Sequence, residues 1–236
     1  MDYKYEECSE EQTKSSSILI TSRSWQDFSY NQYCTNYITS EQSFDKMESL
    51  RNNYEDTYSQ TSEEFWGRLY NELYQQNKNH LTGLLDSLDA IKTLHKFNNS
   101  DFANMIVTFV QDIPYAYILD QADCDEQESV YGGCLENIKY GILSPIEFLH
   151  TLKGDCDTRT VLLYTILKEL GYEPKIAVSN AYEHSVLLLN IPSSGNDYVY
   201  DKSRKFYFWE TTAPGWQAGI LPPDMRDIGK WNVVLN

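Results

Sequence analysis

The chain has 236 residues, enough for one large domain or a smaller domain with an N-terminal extension. Hydrophobic residues make up 41% and charged residues 23%, the balance of a globular protein. Nineteen Lys and Arg against 35 Asp and Glu leave a net charge of −16, which argues against nucleic acid or an anionic membrane as a partner and leaves a basic partner or calcium open.

In chain order, residues 1–20 are acidic and serine-rich without periodicity until "ILI", and are expected to be disordered or loosely docked. Residues 21–100 read as a helical region. "SEEFWGRLYNELYQQN" sets Phe65, Trp66, Leu69, Tyr70, Leu73 and Tyr74 at helical spacing behind a Ser62 cap. "HLTGLLDSLDAIKTLHKF" repeats the pattern through Leu81, Leu84, Leu88 and Ile91. Neither carries a chemical motif, so both read as packing helices. "SDFANMIVTFVQDIPYAY" starts a further helix, capped by Ser100 or Asp101 and ended by Pro114. An acidic, glycine-bearing loop follows, then a short helix entered at Ser144-Pro145.

"GDCDTRTVLLYTILKELG" places Cys156 at the start of a helix that Gly171 closes. After it the period changes to two. "PKIAVSN", "EHSVLLLNI", "DYVYD" and "KFYFWETTA" read as successive antiparallel strands, separated by turn text such as "PSSGN" and "DKSR". The fold class is therefore α+β.

Of the five cysteines, Cys124 and Cys134 bracket a short polar loop, Cys8 and Cys34 form a possible second bridge, and Cys156 is left over. Bridges imply an extracytoplasmic setting; five reduced thiols in the cytoplasm are the alternative. No apolar run approaches the ~20 residues of a membrane helix. The N-terminus has no apolar signal core. The chain is thus expected either to be cytoplasmic or to be the soluble part of an exported protein, with an anchor preceding it.

A cysteine nucleophile must ionise near neutral pH although its free pKa is ~8.5, and the unpaired N–H groups and partial positive charge of a helix N-terminus favour the thiolate. It also needs a base, and the base needs an acid to orient it. Of the four histidines, His80 and His95 lie in the helical region and His150 on the short helix. His184 starts a strand, from which a ring can reach a helix packed on the sheet. Glu210 ends an apolar strand on the face of Phe206 and Phe208. Each alone is as readily structural: a packing thiol, a strand histidine, a surface glutamate.

Together, "GDCDTRTVLLYTILKELGYEPKIAV…EHSVLLLN…YFWETTAPGW" resembles the core of the transglutaminase-like cysteine hydrolases. "FVQDIPYAY" and "SPIEFL" resemble a bacterial and archaeal branch in which Pro-x-Glu-x-Leu precedes Gly-Asp-Cys. The likeness covers about residues 102–222 and leaves residues 1–100 unexplained. It implies a papain-like core over 101–236, with Cys156 as nucleophile, His184 as base and ion-pair partner, and Glu210 as orienting acid. Many members carry aspartate at the third position, which makes Asp201 the substitute for Glu210. The Cys156 backbone N–H is the expected first oxyanion donor, with Gln111 or Tyr140 as second.

The implied activity is acyl transfer from an amide or peptide bond of a protein or peptide substrate through a thioester, with water as acceptor. A crosslinking transglutaminase and a non-catalytic binding module are the alternatives. No cofactor is required. Zinc lacks clustered ligands, and calcium would fall on "DQADCDEQE", which lacks the spacing of a calcium loop.

Overall fold

The computed structural model describes residues 10–124 and 132–236. The protein is mixed α and β, with antiparallel sheets. Three strands, β1 (Glu11–Ser15), β2 (Ile18–Gln26) and β3 (Gln32–Ser40), form an antiparallel meander. Four helices follow: α1 (Glu41–Asn53), α2 (Ser62–Asn77), α3 (Thr82–His95) and α4 (Asn99–Gln111). A short parallel pair, β4 (Tyr117–Ile118) and β5 (Cys134–Leu135), leads to α5 (Pro145–Thr151) and α6 (Cys156–Glu169). The second sheet is built from β6 (Lys175–Ser179), β7 (His184–Leu189), β8 (Tyr198–Asp201), β9 (Arg204–Trp209) and β10 (Asn232–Leu235), in the order β10-β6-β7-β9-β8.

From residue 10 onward the N-terminal meander corrects the expectation of a loosely docked start and an all-helical region to residue 100; residues 1–9 of that start lie outside the described residues. Its inward positions alternate as Thr21, Arg23, Trp25 on β2 and Tyr33, Thr35, Tyr37, Thr39 on β3, all buried. The period of two is there, but polar side chains carry it, so hydropathy does not reveal it. Trp25 packs edge-on against Phe109 of α4 at 5.0 Å and donates Nε1–H to the Met105 carbonyl at 3.1 Å. Tyr37 donates to the Leu149 carbonyl of α5 at 3.1 Å. One core therefore runs across the expected boundary at residue 100, with Trp25, Leu73 and Leu88 in the same cluster as Phe109 and Leu163.

Helix starts shift by one to three residues. Thr61 rather than Ser62 caps α2, and Asn98 rather than Ser100 or Asp101 caps α4, each accepting from the N–H three residues on. α5 opens at Ser144-Pro145 as expected, and its start is closed by a capping box that the sequence reading did not name: Ser144 Oγ accepts from the Glu147 N–H, and Glu147 Oε2 accepts from the Ser144 N–H at 2.8 Å. The sequence reading assigned Glu147 to a motif without a role. Its carboxylate receives Arg51 Nη2 of α1 at 2.8 Å and Nε at 3.1 Å, in a fully buried ion pair. Gly171, at φ +85°, ends α6 as expected.

β6 and β7 are consecutive neighbours, but β9 lies between β7 and β8. That insertion brings the end of β9, and Glu210 after it, beside the start of β7.

Candidate functional site

Cys156 is the first residue of α6 and is 6% exposed. Gly154 leads into it because there is no room for a side chain: a Cβ there would lie 2.9 Å from both Phe148 and Thr158. Asp155 caps the helix, accepting from the Thr158 N–H at 3.0 Å. The α6 helix lies against β7, on the sheet face of Leu187. The Ser185 backbone N–H and hydroxyl face the Cys156 sulfur.

His184 begins β7, and Glu210 follows β9. His184 Nε2 meets Glu210 Oε2 at 2.9 Å, with both side chains at least nine-tenths buried. The other carboxylate oxygen accepts from the Thr211 N–H at 2.8 Å, the Thr212 N–H at 3.0 Å and the Thr212 hydroxyl at 2.8 Å, so the Glu-x-Thr spacing serves to hold the acid. Trp231 covers the imidazole edge-on at 6.0 Å. Asp201 is excluded as the acid: it pairs with Lys175 at 3.0 Å on the far end of the sheet.

Burial would push Glu210 up, but the hydrogen bond and charge of His184, with Thr212, hold it below the ordinary carboxylate value. Burial likewise opposes the imidazolium of His184, and Glu210 outweighs it, so His184 is raised. Cys156 goes the other way from the sequence reading. Burial, then Asp157 and Asp155, push its thiol well up, and Ser185 only partly offsets this. Burial outweighs the helix N-terminus at the sulfur, where the Asp155 cap takes one of the free N–H groups and Asp157 adds charge in the first turn. Asp155 is itself pushed up to about 8, by burial and then by Asp157. In this structure the thiol's hydrogen bond runs to Asp157 Oδ2 at 3.8 Å.

Both side-chain oxyanion candidates are committed elsewhere. Gln111 Nε2 donates to the Glu210 carbonyl at 2.7 Å and the Trp216 carbonyl at 2.9 Å, which fixes the segment after β9 and leaves no N–H for substrate. The Tyr140 hydroxyl donates to the Tyr54 carbonyl at 2.9 Å. Sequence reasoning passed over Tyr115, whose phenol oxygen lies at the Cys156 backbone N–H. The clue was its place just after Pro114, where it bridges to Gly154.

Arg159 was also missed. Fully buried on the inner face of α6, it donates to the carbonyls of Gly154 at 2.9 Å, Val110 at 2.8 Å, Thr211 at 3.3 Å and Ile113. One guanidinium thus joins the end of α4, the loop before Cys156 and the segment after Glu210. Burial lowers its pKa to about 10, which leaves it charged at neutral pH.

Two clefts share His184 in their lining. One, of about 580 Å³, is walled by Ile113, Pro114, Tyr115, Ala213 and Pro214. The other, of about 370 Å³, is lined by Trp66, Tyr70, Tyr140, Asp155, Asp157 and Glu183. Trp66 and Tyr70 come from α2, which the sequence reading assigned to packing alone; the Tyr70 hydroxyl donates to Asp157 Oδ1. Of the other histidines, His150 is bonded through Nδ1 to the Thr39 hydroxyl at 2.8 Å, and His95 stacks on Phe97.

Cys124 and Cys134 form a disulfide, Cys34 is also disulfide-bonded, and Cys156 is a free thiol. Cys8, the expected partner of Cys34, and residues 125–128 of the acidic loop considered for calcium lie outside the described residues. Among the described residues, no group of three or more His, Cys, Asp and Glu is placed to hold a metal ion. No helix among them is long and apolar enough to cross a membrane.

No family model, curated protein or solved structure matches the chain.

Proposed function

We propose that the protein is a cysteine-dependent amidase or peptidase with a papain-like, transglutaminase-like core, acting through Cys156, His184 and Glu210. The observation that carries this reading is the buried His184–Glu210 bond, set beside the strand residue, Ser185, that faces the Cys156 sulfur.

Because Nε2 is bonded to Glu210, Nδ1 is the ring nitrogen left to act as base. The high thiol pKa favours a general-base route over a standing ion pair. Sγ turns from Asp157 and gives its proton to Nδ1 as it attacks the substrate carbonyl. Glu210 stabilises the imidazolium that forms. The oxyanion is met by the hydroxyl of Tyr115, in place of Gln111 and Tyr140, while the Cys156 N–H holds the Tyr115 phenol oxygen in place. The imidazolium then protonates the leaving amine, giving a thioester on Cys156. Water, deprotonated by His184, hydrolyses it to the acid and the free thiol. The three disulfide-bonded cysteines, Cys34, Cys124 and Cys134, suit an extracytoplasmic setting.

The test is acylation by p-nitrophenyl acetate. A burst of one nitrophenolate per chain is expected, with a single acetyl group found on Cys156 by mass spectrometry. His184→Ala should slow the burst at least a hundredfold at pH 7. A rate equal to that of N-acetylcysteine, in wild type and variant alike, refutes the proposal.

A further inference from the structure

The cleft between α2, the start of α6 and the loop before β7 differs in chemistry from its neighbour across His184. Trp66, Tyr70 and Tyr140 give it aromatic walls, and Asp157 and Glu183 give it carboxylates. Among the described residues, no Lys or Arg lines it, and the only lining group able to carry positive charge is His184, at its border. Asp157 is bonded by neutral donors, the Tyr70 hydroxyl and the Cys156 thiol, so its charge is not cancelled there. Glu183 stands exposed at the mouth, in a left-handed conformation at φ 50°. The Ser179 hydroxyl, in a side chain 2% exposed within the lining, has no hydrogen-bond partner. Lys139 lies 4.9 Å over the Tyr140 ring, with its ammonium bonded to the Asn52 and Tyr54 carbonyls, so that face of Tyr140 is already occupied and the carboxylates carry the attraction.

Aromatic faces attract cations through their negative quadrupole, and two carboxylates in a confined cleft strengthen the attraction. A cavity of about 370 Å³ accepts an alkyl chain ending in ammonium. We propose that this cleft binds a primary alkylammonium group, and that the amide substrate carries a lysine-like cationic side chain next to the bond attacked by Cys156. The first part stands on the cleft alone; the second rests on the hydrolase reading. The bound ammonium is a recognition element and not the attacking amine, since an environment that stabilises the cation keeps it protonated and non-nucleophilic. The neighbouring cleft, which shares His184, is walled by Ile113, Pro114 and Pro214 instead.

The test uses the full chain with Cys156→Ala, which removes turnover, titrated with n-butylammonium and with n-butanol by saturation-transfer NMR. The ammonium is expected to bind at least tenfold more tightly than the alcohol. Glu183→Gln, an exposed change that leaves the core untouched, should weaken the ammonium severalfold and leave the alcohol unchanged. Adding Asp157→Asn should take the loss beyond tenfold. Equal binding of the two probes, or no response to Glu183→Gln, overturns the proposal. If acylation of Cys156 fails while the ammonium preference stands, the hydrolase reading falls and the cation site remains. If acylation succeeds without the preference, the cation site falls alone.

Discussion

Changing Glu147 to Gln isolates the buried ion pair that ties α1 to α5. Arg51 and Glu147 are 1% and 0% exposed, and the guanidinium makes three contacts of 2.8–3.1 Å to the carboxylate. Gln keeps the volume and one acceptor oxygen but removes the charge, so the buried Arg51 loses its counter-ion and keeps Asn52 Oδ1 at 2.9 Å and a long contact to the Lys139 carbonyl. Removing one partner of such a pair typically costs about 3–5 kcal/mol, because the remaining charge is uncompensated. For a chain of this size each kcal/mol lowers the melting temperature by about 2–4 °C, so a fall of roughly 6–20 °C is expected. Replacing both residues by Met removes both charges and should restore stability to within about 1–2 kcal/mol of the native protein. Urea unfolding of the native, single and double variants measures all three. A Glu147→Gln variant within 1 kcal/mol of the native protein, or a double variant as weak as the single, refutes this account.

Glu210→Gln tests the site through pH. Glu210 has a depressed folded pKa, so its contribution is present above the ordinary value of 4.5 and is lost as pH falls through the depressed value. His184 has a raised pKa, so its contribution is full below 6.5 and is lost as pH rises through the raised value. The stability gap between native protein and Glu210→Gln should therefore be widest between about 4.5 and 6.5 and narrow on both sides; a gap flat from pH 3 to 9 in urea midpoints contradicts it. Gln111→Leu strips the Glu210 and Trp216 carbonyls of a shared donor and should cost about 2–4 kcal/mol in thermal or urea unfolding while slowing acylation; native stability argues against its positioning role. Asp157→Asn removes a negative charge next to the thiol, so the iodoacetamide pH–rate curve of Cys156 should move to lower pH, about tenfold in rate at pH 7 for each unit moved. An unmoved curve rules out Asp157 as a cause of the high thiol pKa.

What could be read from the sequence was what apolar periodicity carries. The α6 helix and the strands from Lys175 to Trp209 follow from periodicity and alternation; the pairing of His184 with Glu210 rests on the family resemblance, because the insertion of β9 between β7 and β8 is not written in any local pattern. The N-terminal meander was hidden because Thr, Tyr and Arg fill its inward positions. Tyr70 and Trp66 looked like packing residues, since their approach to Cys156 depends on how α2 crosses α6. The committed donors of Gln111 and the buried hub of Arg159 depend on carbonyls tens of residues away, which no local pattern encodes. The thiol's raised pKa comes first from burial, which no local pattern encodes, and then from the aspartates that start the helix.

Arg159 grips carbonyls on both the Cys156 side and the Glu210 side, so these flanks cannot loosen independently. Hydrogen exchange should find amides near Gly154 and near Thr211 opening as one unit, with a common free energy that also governs the last turn of α4. A lesion anywhere along that triangle would then be felt at both reacting ends at once, and the site would fail as a whole.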